Sequence, residues 1–250
     1  MVKNYLIVGA SSGIGEACVH KLAHEADNLI LVGRNVKKLN MLKEQYTGTI
    51  NIYPVFYDLL DLEHIKSIFK VFSDYKIKFN GMVYSSGMDG TWPVKANDTS
   101  TMQQMMTVNC FAFVELAKTF YSKRYSNDGA SIVAISSIAS LTSEIGMSSY
   151  CASKAALNSY VKTMSKEFIR RRIRVNAVLP AGVSTPMAEK KDSLLAGITD
   201  LGTENIPSAN LQPLGMIPSD MIASQVEYLL SDNAGYITGE LLTVSAGKHY

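Results

Sequence analysis

Three side chains in the middle of the chain have the types and spacing of an acid–base device. The stretch "YCASK" sets Tyr150 and Lys154 four residues apart, side by side on one face of a helix. Upstream stands Ser137, in "ISSIAS", at the end of an apolar run that reads as a strand. A free tyrosine, with a pKa of about 10, is a poor acid or base at neutral pH. A neighbouring ammonium would stabilise the phenolate and lower that value. Bringing it to about 7 takes roughly 4 kcal/mol, which one charge in a partly dry cleft could largely supply. Ser137 could then hold a substrate carbonyl for protonation. A Tyr–x3–Lys pair alone is common on helices, so the meaning must come from its surroundings.

The N-terminus supplies the most informative of these. "LIVGASSGIGEA" joins an apolar run to a helical pattern, with Gly9, Gly13 and Gly15 at G-x3-G-x-G spacing. A turn without β-carbons lets backbone N–H groups at a helix N-terminus approach a pyrophosphate. Ser11 and Ser12 add hydroxyl donors, and Ile14 completes the segment expected against a cofactor. The same turn can also be a strand–helix junction that binds nothing. The end of the second apolar run sharpens the reading. An acid there holds the ribose 2′-hydroxyl of NAD, whereas this chain has Gly33, Arg34 and Asn35. Arg34 can pair with a 2′-phosphate by charge-assisted hydrogen bonds of roughly 1.5–3 kcal/mol, which predicts NADP(H) over NAD(H).

The elements that must position these groups follow from the hydrophobic pattern. Strands are expected at 4–8, 28–33, 50–56, 79–85, 130–136, 173–179 and 241–245, and helices near 13–26, 35–46, 61–74, 98–125, 148–171 and 218–231. Several strands are nearly unbroken apolar runs, as strands covered on both faces are. Strict alternation predicts an α/β, doubly wound Rossmann arrangement: about seven parallel strands flanked by helices. The 250 residues fit a single domain, 1–250. The irregular stretch from about 184 to 215 reads as a substrate flap rather than a domain boundary.

Composition narrows the class further. Apolar residues make up 47%, and the net charge of +2 gives no field favouring nucleic acid or membrane. The N-terminus reads as neither a signal nor a membrane span, so a cytoplasmic protein is expected. Cys18, Cys110 and Cys151 suggest reduced thiols. His20 and His24 have a zinc-like spacing, but no third ligand is evident and no metal is expected.

Taken together, the chain resembles the short-chain dehydrogenase/reductase family, in its 250-residue form. The motifs run nearly end to end: "GASSGIG", "GRN", "YDLLD", "VN" at 108–109, "ISS", "YCASK", "VNAVLPAGVSTPM" and "YITGELLTVSAG". The resemblance implies that Tyr150 is the general acid in reduction. Lys154 would lower its pKa and bind the nicotinamide ribose, and Ser137 would hydrogen-bond the substrate oxygen. Asn109 would hold a water linking Lys154 to solvent. Asp58 and Leu59 would meet the adenine, and Ser85, Ser86 and Gly87 would form the turn beside the cofactor. Pro180, Val183 and Thr185 would orient the carboxamide. Three departures stand out: Val8 for threonine, "YSSG" for N-N-A-G, and "PAG" for P-G.

The branch it looks most like reduces 3-oxoacyl thioesters in fatty acid biosynthesis, which implies a ketone–alcohol oxidoreductase. Other readings are a reductase of another small carbonyl (sugar, steroid or xenobiotic ketone) and a non-catalytic NADP(H)-binding regulator. The family also implies a homotetramer or homodimer built through the helices at 98–125 and 148–171. The basic run "KEFIRRRIR" (166–174) is first a set of cations at a helix C-terminus. With Lys123 and Arg124 it could instead dock an acyl carrier protein, chiefly through Arg171 and Arg172. With three residues after Gly247, no C-terminal arm is expected. Neither the flap nor the "MDGTWPV" loop carries a readable substrate code.

Overall fold

In a computed structural model that describes residues 2–73, 78–188 and 212–248, seven parallel strands form one sheet. They are β1 (Asn4–Val8), β2 (Asn28–Gly33), β3 (Asn51–Phe56), β4 (Phe79–Tyr84), β5 (Ser126–Ile135), β6 (Arg174–Pro180) and β7 (Leu241–Val244). Their order is β3-β2-β1-β4-β5-β6-β7. The direction of winding reverses between β1 and β4, and the crevice beyond the strand ends at such a point is where doubly wound sheets bind ligands.

Helices cover both faces, as the apolar strands require. Named here are α1 (Gly13–Leu22), α2 (Val36–Gln45), α3 (Ser67–Ser73), α4 (Thr99–Met106), α5 (Ala112–Phe120), α6 (Ala139–Thr142), α7 (Ser148–Glu167) and α8 (Ser219–Leu230). Strand alternation divides the core in two. Leu6 and Val8 join Phe113, Leu116, Leu157 and Val161 of α5 and α7. Tyr5 and Ile7 join Val19 and Leu22 of α1 and Ile222 and Val226 of α8. Each fully buried aliphatic side chain of this kind stabilises the fold by roughly 1.5–3 kcal/mol. At the N-terminal end of the sheet a row of asparagines fixes the strand order: Asn51 donates to Asn28 Oδ1 (3.1 Å), Asn28 to Asn4 Oδ1 (2.7 Å) and Asn4 to the Lys78 carbonyl (2.8 Å).

The elements differ from the sequence expectation in four places. The helix expected over 98–125 is interrupted by a π turn at Thr107–Phe111 and ends at Phe120. Within that turn the Val108 carbonyl accepts from the buried Tyr84 hydroxyl. The helix expected at 61–74 begins only at Ser67, because Asp61 holds the N–H of His64 in a turn (3.1 Å). β5 starts at Ser126, with a register shift against β4 between Phe79 and Gly81. Of the flap expected at 184–215, residues 189–211 lie outside the described residues.

The basic run needs a correction. Arg171, expected on the surface, is only 8% exposed. Its guanidinium donates to Asp128 Oδ1 (2.7 Å), Ser126 Oγ (3.1 Å), the Ser126 carbonyl (2.8 Å) and the Tyr121 carbonyl. It also lies 5.5 Å from the Tyr121 ring centroid. Arg171 therefore satisfies the carbonyls of the α5–β5 connection and cannot serve a docking partner, whereas Arg172, at φ 55°, is exposed. We expect Arg171→Ala to lower stability by about 3 kcal/mol, since it strands buried carbonyls. Arg172→Ala should stay within about 0.5 kcal/mol of the native chain. Urea unfolding of the two variants checks the difference, and equal midpoints would overturn the structural role of Arg171.

Candidate active site

The strand ends at the winding reversal open into one cleft of about 1090 Å³. Its first end is built by the glycine turn. Gly9 has φ +85°, and a β-carbon there would lie 2.7 Å from the Ser86 nitrogen, so only glycine fits between the β1 and β4 turns. The N–H groups of Gly9 and Ala10 both donate to the Val32 carbonyl (2.9 and 3.1 Å), and that of Ser85 donates to the Val8 carbonyl (2.8 Å). These bonds tie the ends of β1, β2 and β4 together. A β-carbon on Gly15 would fall 2.0 Å from the Gly9 carbonyl oxygen. Gly15 thus packs α1 onto the turn and does not line the cleft. Ser12 makes no side-chain hydrogen bond to the start of α1, which leaves first-turn N–H groups available to an anion.

Ser11, Ser12, Gly13 and Ile14 line this end of the cleft with Arg34, Asp58 and Leu59, as the sequence suggested. Asn35 caps α2 by accepting from the Lys38 N–H (3.0 Å). Arg34 is exposed at the cleft wall. Ser85, Ser86, Gly87, Pro180, Val183 and Thr185 line the middle. The uncapped helix start and the glycine cradle fit the pyrophosphate of a dinucleotide, and Arg34 in place of an acid fits a 2′-phosphate.

Ser137, Tyr150 and Lys154 meet beyond the middle of the same cleft. α7 carries Tyr150 and Lys154, and the residues just past β5 carry Ser137, whose side chain acts on the Tyr150 hydroxyl. Lys154 is 3% exposed; its Nζ donates to the Ile135 carbonyl (2.8 Å) and sits 5.9 Å from the Tyr150 ring centroid. Gly87 brings its backbone against this group: a β-carbon there would lie 3.4 Å from Asn109 Oδ1 and 3.5 Å from Lys154 Nζ.

Asn109 is fully buried in the π turn, behind the cleft rather than on its lining. Its Oδ1 accepts from the Met88 N–H (2.7 Å), and its Nδ2 donates to the Met88 carbonyl and to Ser153 Oγ (both 2.8 Å). Ser153 Oγ in turn donates to the Tyr150 carbonyl (2.8 Å). Both amide hydrogens of Asn109 are therefore committed to protein, and any water it holds must be held through its oxygens.

Burial dominates the electrostatics of the protein groups. Desolvation pushes the Tyr150 hydroxyl up to about 12; the Ser137 hydrogen bond pulls the other way, while Asp89 and Cys151 add to the rise. Lys154 is pulled down to about 8, again by desolvation, partly offset by Cys110. Lys154 is not among the influences on the Tyr150 hydroxyl, so the lowering expected from it is not realised when only protein groups act.

The other end of the cleft is lined by residues that carried no sequence signal, among them Asp89, Glu144, Met147, Met216 and Lys248. They come from loops far apart in the chain, brought together only by the fold. His20, considered for zinc, instead pairs its Nδ1 with the Tyr46 hydroxyl (2.8 Å). Among the described residues no helix is long and apolar enough to cross a membrane.

The lysine shift has a stability consequence. Below pH 8 Lys154 is protonated in both states, and the folded chain bears the full cost of its buried charge. Between about 8 and the ordinary 10.5 the folded chain has already lost that proton, so the cost fades as pH rises and is gone above 10.5. Lys154→Met should therefore be more stable than the native chain at pH 7, by on the order of 2 kcal/mol after the lost Ile135 hydrogen bond is deducted. That advantage should shrink toward pH 10. Unfolding both proteins at the two pH values tests this, and a variant destabilised at pH 7 would refute it.

Comparison with known proteins agrees with this geometry. Residues 3–195 match the short chain dehydrogenase family. A 3-oxoacyl-[acyl-carrier-protein] reductase FabG of Rickettsia prowazekii is 32% identical over 258 residues, spanning 98% of this chain and 96% of that protein. An uncharacterized oxidoreductase, YmfI, of Bacillus subtilis is 31% identical over the full length of both chains. Among solved structures, an actinorhodin polyketide ketoreductase variant with NADPH superposes with a TM-score of 0.90 at 22% identity, covering 100% of this chain and 98% of that one. With the fold, the cleft and the sequence match in agreement, this chain belongs to the short-chain dehydrogenase/reductase family of oxidoreductases.

Proposed function

We propose that the protein interconverts a ketone and a secondary alcohol with NADP(H), and that its substrate is a 3-oxoacyl thioester. The observation that carries this reading is one continuous cleft. The glycine turn and Arg34 lie at one end, and Ser137 and Tyr150 line the cleft with a buried Lys154 further along. When bound, a nicotinamide supplies or accepts the hydride at the carbonyl carbon. Ser137 donates a hydrogen bond to the substrate oxygen, and Tyr150 delivers its proton to that oxygen in reduction and removes it in oxidation. The phenolate so formed is stabilised by the Lys154 ammonium and by Ser137.

Support for the thioester comes from the full-length similarity to reductases named for that substrate and from the lining of the substrate end. Met88, Met147, Met187 and Met216 stand there with Ile138 and Ile145, and flexible thioether side chains adapt to alkyl chains. If the acyl group arrives on a carrier protein, Lys123, Arg124, Arg170 and Arg172 remain exposed to receive it, without Arg171. Partly exposed Phe111 and Tyr160, beside α5 and on α7, suit a homodimer or homotetramer.

NADPH consumption over a panel of carbonyls tests the reading. Reduction of other ketones only would replace the substrate, and tight NADPH binding without turnover would replace the enzyme by a sensor. Tyr150→Phe should hold NADPH with a Kd within about twofold of the native value and lose at least about 10³ in kcat; an active variant would end the mechanism. Arg34→Ala should cut the preference for NADPH over NADH in kcat/KM by roughly 10- to 100-fold, and an unchanged ratio would show that the 2′-phosphate is recognised elsewhere.

A further inference from the structure

The substrate end of the cleft is closed by a charge pair between parts of the chain more than a hundred residues apart. Lys248 Nζ lies 2.7 Å from Glu144 Oε1, and both residues line the cleft. Glu144 Oε1 also accepts from the Thr142 hydroxyl (3.2 Å). The pair is partly buried, with side chains 22% and 34% exposed, so it is screened less than a surface pair.

Each partner stands for one wall. Glu144 belongs to the loop that enters α7 six residues before Tyr150, a loop turned by Ser143 (φ 55°) and Gly146 (φ 75°). Its position also fixes the opposite loop, since Trp92 N–H donates to the Gly146 carbonyl (2.8 Å). Lys248 belongs to a hydrogen-bonded block formed after β6, after the undescribed 189–211 stretch, and after β7. Within that block Ala181 N–H donates to the Val244 carbonyl (3.0 Å), Leu214 N–H to the Ala246 carbonyl (3.1 Å) and Ile217 N–H to the Gly182 carbonyl (3.0 Å). Gln212, 3% exposed, accepts from the Gly182 N–H (2.6 Å) and donates to the carbonyls of Gly182 (3.1 Å) and Gly215 (2.9 Å). Ala246 (φ 51°) and Gly247 (φ 83°) bend the end of the chain back so that Lys248 crosses to Glu144. Lys248, directly after Gly247, thus reaches the cleft.

We propose that Lys248 is a positioning residue for substrate, acting through Glu144. The ion pair joins the wall that carries Pro180–Val183 to the loop that delivers Tyr150, and so holds the substrate's distal part while its carbonyl meets Ser137 and Tyr150. The pair touches neither the glycine turn nor Arg34, so the grip on the cofactor's phosphates, which would set most of its affinity, does not depend on it. This inference rests on the reading that the cleft reduces a carbonyl, and not on that carbonyl being a thioester.

The test measures KM and kcat for the best ketone of the panel, and Kd for NADPH, in Lys248→Ala, Lys248→Arg, Glu144→Gln and the exchanged pair Glu144→Lys with Lys248→Glu. Lys248→Ala and Glu144→Gln should each raise KM by roughly tenfold with kcat reduced less than threefold. NADPH Kd should be unaltered. Lys248→Arg, and the exchanged pair to a large part, should restore KM. A wild-type enzyme that reduces other ketones but no 3-oxoacyl thioester would overturn the thioester reading alone, and the comparison would be made on the ketone it reduces. Unchanged KM in both single variants, or an exchanged pair no better than either, would overturn the role of Lys248. A matching loss of kcat and of NADPH affinity would also do so, by showing general disturbance of the fold.

Discussion

A single buried ammonium constrains this site more than any other group. Lys154 is all but sealed from solvent, where an ammonium is held only against a substantial desolvation cost. The elements around it are arranged to make that position tolerable. The end of β5 turns the Ile135 carbonyl to accept from Nζ, and Gly87 lets the β4 turn come close without a side chain in the way. The π turn places Asn109 behind that turn, bonded to both Met88 backbone groups. A regular α-helix through Thr107–Phe111 would rotate every later residue by one position around the axis. Asn109 and the core residues of α5, such as Phe113 and Leu116, could not then both face inward.

On the proposed mechanism, the same burial would divide the proton chemistry between protein and cofactor. Desolvation drives Tyr150 and Lys154 toward their neutral forms, one up and the other down. The protein groups alone therefore keep the tyrosine protonated, the form needed to donate a proton in reduction. On the proposed mechanism, a phenolate would come within reach when further positive charge enters the cleft, and a bound oxidised nicotinamide would supply it. Acid and base forms would then be matched to the two redox states of the cofactor rather than to the pH of the solution.

Much of this was legible from residues, and the limits of that legibility have physical causes. The glycine turn could be read because positive φ and close backbone approach leave glycine as the one residue that fits at Gly9 and Gly15. The seven strands could be read because a parallel sheet covered on both faces needs unbroken apolar runs. Arg171 could not be placed, because a cationic helix end looks the same whether its guanidinium meets water or the Ser126 and Tyr121 carbonyls. The π turn left no mark either, since it changes the hydrogen-bond partners and not the hydrophobic pattern. Asn109 was expected beside the site, but its bonds to Met88 and Ser153 depend on how the β4 turn and α7 pack.

The substrate end was the least readable for a deeper reason. The proposed catalytic groups stand just past the end of β5 and on α7, two rigid elements, so their geometry is encoded locally. The walls opposite them are assembled from the loop after β4, the loop before α7, the segment from 212 to 217 and the residues after β7. Contacts among these segments, such as Glu144 with Lys248, span long separations and impose no period. Substitution there alters neither the sheet core nor the Lys154 environment, so the substrate surface can change while the proton device stays intact. That separation would let one scaffold serve different substrates, and it is why the pattern that points to the chemistry is silent about the substrate.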